Sequence, residues 1–137
     1  MAEGVFMHKV IAAGLEGEIS ADSAGTGEWH MGQPPHHGTR AMLAKNNIEY
    51  SHTARNLEPE DYNAFELIVT MDDDNYESVA QRGKGRAQVH RFLDFAPDCG
   101  HEEVPDPYYS GNFAETYELC NQAADGLLAY IRRTCSV

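Results

Sequence analysis

Phe65-Glu66-Leu67-Ile68-Val69-Thr70-Met71-Asp72-Asp73-Asp74 is the stretch that decides the fold. Its first seven residues are apolar except for Glu66 and Thr70, the pattern of a strand buried on both faces. The aspartates that follow suit a helix start: Asp72 or Asp73 caps it, and acids in a first turn complement the helix dipole. A helix reaching about Gln81 is expected. A doubly buried strand running straight into a helix belongs to a parallel sheet covered by helices.

The flanking sequence agrees. Residues 89–95 read as a further strand, and residues 18–24 as a short strand entering Gly25-Thr26-Gly27. Ahead of them, residues 2 to about 15 form a helix: Phe6 and Val10, like Met7, Ile11 and Leu15, recur every four positions, and Gly14 and Gly17 supply places to stop. Gln33-Pro34-Pro35 breaks regular structure, residues 39–46 form a second helix, and Asn47 follows where a left-handed residue is wanted. Asn112 with Glu115 makes a capping-box-like start for the last helix. Its stripe runs Phe113, Tyr117, Cys120, Ala124, Leu127, Leu128, Ile131, closing with Arg132 and Arg133 against the dipole. The fold class is α/β, a three-layer αβα arrangement with a parallel sheet, and residues 1–137 make a single domain.

Bulk properties narrow the function. A chain of 137 residues, 42% hydrophobic, suits one globular core. No apolar run is long enough to span a membrane, and no signal-peptide pattern opens the sequence. Cys99, Cys120 and Cys135 are odd in number and lack metal-type spacing, so a reducing cytoplasm fits best. A formal net charge of −12 argues against nucleic acid, whose phosphates demand clustered Lys and Arg. It does not exclude a small phosphorylated substrate, since a pocket can be locally positive on an acidic protein. His30, His36 and His37 lack the spacing that marks zinc, and the acids at 72–74 are explained by the helix dipole, so no metal or other cofactor is expected.

Chemistry concentrates in Val104-Pro105-Asp106-Pro107-Tyr108-Tyr109. The two prolines stiffen the backbone on either side of Asp106 and present its carboxyl from a rigid loop. Taken alone, such a residue is more commonly a turn aspartate. Read with Asp22-Ser23-Ala24-Gly25-Thr26, Ser51-His52-Thr53-Ala54-Arg55 and Met71-Asp72 followed by Asn75, the chain resembles the low-molecular-weight protein tyrosine phosphatases over essentially its whole length, in order and spacing. It departs from the common pattern at His36-His37-Gly38 and at Asn47, neither of which touches chemistry.

The resemblance implies a four-stranded sheet whose first strand is interior, and a substrate that is a phosphotyrosine protein or a small aryl phosphate. It implies that Asp106 protonates the leaving phenolate and then serves as base for the water that hydrolyses a phosphocysteine. A positioned acid of this kind contributes roughly 10²–10⁴-fold. It makes Trp29 and Tyr108 walls of the aromatic slot. Tyr109 fits that slot and a partly buried core position equally well. Ser23 and His52 would brace the phosphate-gripping loop, although each also fits as a hydrogen-bonded core residue.

That loop, Cys-x-x-x-x-x-Arg-Ser-Pro, stands in the family just before a Met-Ala-Glu like Met1-Ala2-Glu3. Here Cys99 has Pro105 six positions on, Cys120 has Gly126, and Cys135 has no residue at that distance. The expectation is a chain that lacks the first strand, the nucleophile and the arginine, is inactive as written and folds poorly. An interior strand's apolar side chains bury on the order of 10 kcal/mol, against about 5–15 kcal/mol of net stability for a typical domain. Two alternatives stand beside a phosphatase with a misplaced start: a non-catalytic remnant acting as an interaction protein, and an arsenate reductase-like protein, which would need shuttling cysteines.

Overall fold

Residues 65–71 do form a strand, but a shorter one: β1 is Leu67–Thr70. In the computed structural model, which describes residues 1–26, 37–48, 55–105 and 111–136, β1 pairs in parallel with β2, Gln88–Arg91, Leu67 lying opposite Gln88 and Thr70 opposite Arg91. The connection between them is a helix, as the parallel pairing requires. It spans Asp73–Arg82, and Asp72 caps it by accepting a hydrogen bond from the Asn75 amide at 2.7 Å.

In chain order the helices are α1 (Ala2–Ala12), α2 (His37–Lys45), α3 (Asp61–Ala64), α4 (Asp73–Arg82) and α5 (Phe113–Cys135). α1 and α5 pack together on one side of the sheet, while α4 lies against both strands from the other. α3, which sequence patterning did not reveal, joins α4's layer, where the Tyr62 hydroxyl donates to the Val79 carbonyl at 2.6 Å. The result is the expected three-layer arrangement. Val5, Val10, Leu43, Phe92 and Cys120 are the largest side chains wholly enclosed by it.

Helix ends follow the sequence closely. Asn112 accepts from the Glu115 amide at 3.0 Å, and its own side-chain amide donates to the Glu115 carboxylate at 2.9 Å. Asn47 sits at φ +63° after α2. α1 ends at Ala12, slightly before the expected limit, and Gly14 at φ +73° turns the chain away. Residues 89–95 are a correction. The strand stops at Arg91, and Phe92–Phe95 wind into a 3₁₀ turn. Phe92 and Leu93 are both buried in the core.

The sheet departs from expectation as well. With the first of the family's four strands absent, three were expected, whereas the described residues hold two strands and one isolated parallel bridge, Gly25 with Asn56. Residues 19–24 are not a strand; they pair with no described segment until Gly25 donates to Arg55 and accepts from Leu57. A trench of about 1380 Å³ separates them from β1, with both segments among its walls. Leu67, Ile68 and Val69 are therefore only half-buried, and Thr70 alone in β1 is fully enclosed.

Candidate active site

One end of the trench collects most of the described segments singled out in the sequence. The first turn of α1, Ser23, Asp72 with Asn75, and Val104-Pro105 all line it. Two hydrogen bonds anchor the approach to Asp106. The Val104 amide donates to the Met71 carbonyl at 2.8 Å, tying this loop to the end of β1. The Thr116 hydroxyl donates to the Pro105 carbonyl at 3.1 Å, tying it to α5. Glu103 adds a third tie by accepting from the Asp73 amide at 2.8 Å. The residue immediately before Asp106 is thus held at the trench mouth.

Asp106, Tyr108, Tyr109, Trp29 and His52 lie outside the described residues, as do His30 and His36. Ser23 is described. It lines the trench, half-buried instead of fully buried as expected, and its hydroxyl bonds to no described residue. Its amide contacts the Asp22 carboxylate at 2.8 Å. No three His, Cys, Asp or Glu side chains among the described residues gather as a metal site would require.

Sequence reasoning quoted Arg55 but gave it no role, and the structure makes it the clamp of this region. Its Nε donates to Asp22 Oδ2 at 3.0 Å, and its two terminal nitrogens grip both Asp61 oxygens at 3.0 and 3.2 Å. Asp61 also accepts from the Glu58 amide at 2.8 Å. Burial alone would push the Asp61 carboxyl up, but Arg55 and the Glu58 amide outweigh it and hold the group below its usual range. The hydrogen bonds that Arg55 donates to Asp61, with the one it donates to Asp22, push its guanidinium up. No sequence spacing announces a pair 33 positions apart such as Arg55 and Asp22.

Replacing Arg55 by Met is expected to cost about 2 kcal/mol at neutral pH. That is below the roughly 3–5 kcal/mol of a broken buried pair, because the Arg55 side chain is 33% exposed and solvent screens part of the interaction. A carboxyl depressed in the folded state stabilises above its unfolded value near 3.9, and that contribution fades as pH falls through the lower folded value. Urea melts at pH 7 and pH 3 should therefore show the wild-type advantage shrinking at pH 3. An advantage of equal size at both would assign the loss to packing.

Electrostatics at the trench mouth limit what the described residues do unaided. The positive end of α1 favours an anion there, yet Glu3, Asp22 and Asp72 also line the trench. Of the arginines lining the trench, Arg55 is engaged by two aspartates and Arg86 pairs with Glu66 at 2.9 Å. Cys120 also lines the trench, but burial raises its thiol to about 11, so it is overwhelmingly protonated at neutral pH and a poor nucleophile.

The arrangement has close counterparts. The family model described as low molecular weight phosphotyrosine protein phosphatase matches residues 1–137. The low molecular weight protein-tyrosine-phosphatase YfkJ of Bacillus subtilis is 40% identical over 97% of this chain and 87% of its own length. A Streptomyces coelicolor low molecular weight protein-tyrosine-phosphatase is 36% identical over 96% of this chain and 85% of its own. The crystal structure of the Bacillus subtilis protein superposes with a TM-score of 0.92, at 39% identity over 96% of this chain and 85% of that one. A protein tyrosine phosphatase from Entamoeba histolytica, 26% identical, covers 96% of this chain and 87% of that one with a TM-score of 0.91.

Proposed function

The chain belongs to the low molecular weight phosphotyrosine protein phosphatase family, and from that premise we propose that its scaffold serves the hydrolysis of phosphotyrosine monoesters through a phosphocysteine. On this reading these 137 residues alone do not complete the reaction. Asp106 gives its proton to the departing phenolate and later takes one from the attacking water. Trp29, Tyr108 and Tyr109 flank the aryl ring, while Ser23 and His52 support the phosphate-binding loop. The anchoring of Val104 and Pro105 beside the first turn of α1 carries this reading, because it brings the approach to the acid and the anion-favouring helix end to one place.

Inactivity of the chain alone is supported by its cysteines. None has an arginine six positions later. The one lining the trench near α1, Cys120, is held as a thiol. The same residues argue against an arsenate reductase: Cys120 is buried while Cys135 is exposed at the far end of the same helix, about 22 Å away at 1.5 Å per residue. That is too far for thiols to exchange directly.

The test uses para-nitrophenyl phosphate. The 137-residue chain is expected to show no turnover above buffer and a broad, low-temperature melt; steady hydrolysis refutes the first expectation and a sharp melt the second. Joining an apolar strand and a Cys-x-x-x-x-x-Arg-Ser-Pro loop directly before Met1 is expected to create turnover. A folded extended chain that stays inert would sink the phosphatase reading.

A further inference from the structure

Ser23 stands between two points tied to the chain around Arg55. After it, Gly25 exchanges main-chain hydrogen bonds with that segment: its amide donates to the Arg55 carbonyl at 2.8 Å, and its carbonyl accepts from the Leu57 amide at 2.9 Å. Before it, the Asp22 carboxylate is engaged at both oxygens. Oδ1 accepts from the Ser23 amide at 2.8 Å, and Oδ2 accepts from Arg55 Nε at 3.0 Å. The far edge of the guanidinium is pinned as well. Its terminal nitrogens hold Asp61 at 3.0 and 3.2 Å, and one of them also donates to the Asn56 carbonyl at 3.1 Å. Asp61 is fixed in turn by the Glu58 amide at 2.8 Å. An unbroken run of hydrogen bonds therefore reaches from the start of α3 to the main chain of Ser23.

As a source of stability the Asp22 end of this run is weak. The Arg55 and Asp22 side chains are 33% and 39% exposed, and solvent screens such pairs. As a device for orientation it is well suited, because a guanidinium is a flat fork whose donors point in fixed directions. A lysine would offer a flexible point charge and no set relation between the two carboxylates. The residue so oriented, Ser23, is one of the two that support the phosphate-binding loop in the phosphatase reading. The other, His52, lies three positions before Arg55.

We propose that Arg55 is a positioning residue for the catalytic site: acting through Asp22, it sets the main chain at Ser23 and so aims the Ser23 hydroxyl at the phosphate-binding loop. This rests on the phosphatase reading for the role of Ser23, and on the hydrogen bonds around Arg55 for the rest. A loop held with its amides facing its cysteine favours the thiolate, whereas a slack loop lets the thiol return toward its ordinary value of about 8.5.

The test measures the loop cysteine of the extended chain by iodoacetamide alkylation across pH. Mass spectrometry of the loop peptide separates it from Cys99, Cys120 and Cys135. Asp22→Asn decides, because charge and position predict opposite signs. Removing a negative charge by itself favours a nearby thiolate and lowers the alkylation midpoint. An amide, however, offers one acceptor where both Asp22 oxygens are in use, so the run from Arg55 to Ser23 breaks. The slackened loop is expected to raise the midpoint by about one pH unit, a tenfold loss of thiolate below it. Ser23→Ala is expected to raise it by a similar amount, and the double variant no further, as for two residues acting as one unit. Arg55→Lys keeps the charge and loses the fork; it is expected to match Asp22→Asn, and it decides alone should that variant fail to melt cooperatively. A midpoint that falls or stays in the deciding variant, or shifts that add in the double variant, overturns the proposal. Alkylation needs no phosphate ester, so the two readings fail separately. An extended chain inert toward para-nitrophenyl phosphate refutes the phosphatase reading, while the midpoints still decide whether Arg55 acts on the loop through Ser23.

Discussion

Asp106→Asn, made in the chain extended by the strand and Cys-x-x-x-x-x-Arg-Ser-Pro loop, is expected to lower kcat for phosphotyrosine by about 10²–10⁴, the usual contribution of a positioned general acid. The expectation follows from charge at the leaving oxygen. Tyrosine departs as a strongly basic phenolate unless a proton reaches it as the bond to phosphorus breaks. An amide in the same place keeps the shape and loses the proton. The anchors described for Val104 and Pro105 do not involve the Asp106 side chain, so the loop should hold its position in the variant. A nitrophenolate leaves without as much help, so the loss with para-nitrophenyl phosphate is expected to be far smaller. That difference between leaving groups separates proton donation from damage to the site: a misplaced loop would slow both esters alike. Equal losses would remove Asp106 from the role of acid.

The α/β class and most helix limits could be read from the sequence because they are set locally. Asp72, Asn112 and Asn47 act within a few residues of themselves, as caps or as a left-handed stop. The misreadings all concern what lies across space. Residues 65–71 were read as doubly buried because they are apolar, yet Leu67 to Val69 open onto the trench. Residues 89–95 have strand composition, but Phe92–Phe95 wind into a 3₁₀ turn whose last residue rests against Gly126 of α5. α3 is a four-residue helix, too short to leave a periodic trace, held by Asp61 through Arg55 six positions away and by Tyr62 through Val79 seventeen away. The candidate site divides in the same way. Motif spacing located Ser23 and the approach to Asp106, whereas the Arg55 clamp needed coordinates, because nothing in one segment says which distant carboxylate it will meet.

Gly126→Ala tests whether that non-local packing is what holds the molecule together. Gly126 sits inside α5, where replacing glycine by alanine normally stabilises a helix by about 1 kcal/mol. Here a methyl at that position would fall 1.8 Å from the Phe95 carbonyl oxygen and 2.8 Å from its carbon. Both obstacles are main chain, so no side-chain rotation relieves them. The 3₁₀ turn would have to lift from α5, partly uncovering Phe92 and Leu93, which are only 2% and 3% exposed. Overpacking of this kind costs typically about 1–3 kcal/mol and occasionally more, and displacement of two enclosed side chains puts the substitution at the upper end. A net loss of about 2–3 kcal/mol is expected in urea melts, read in the extended chain if the 137-residue chain lacks a cooperative transition. Ala129→Gly, one helical residue beyond Leu128 and exposed, supplies the comparison, since it should cost only the propensity term of about 1 kcal/mol. The two substitutions then oppose each other in helix propensity and agree in direction of stability. Only close approach of the 3₁₀ turn to α5 produces that combination. A Gly126→Ala chain that melts at higher urea than its parent would mean that the turn does not rest against α5, and that Phe92 and Leu93 owe their burial to other neighbours.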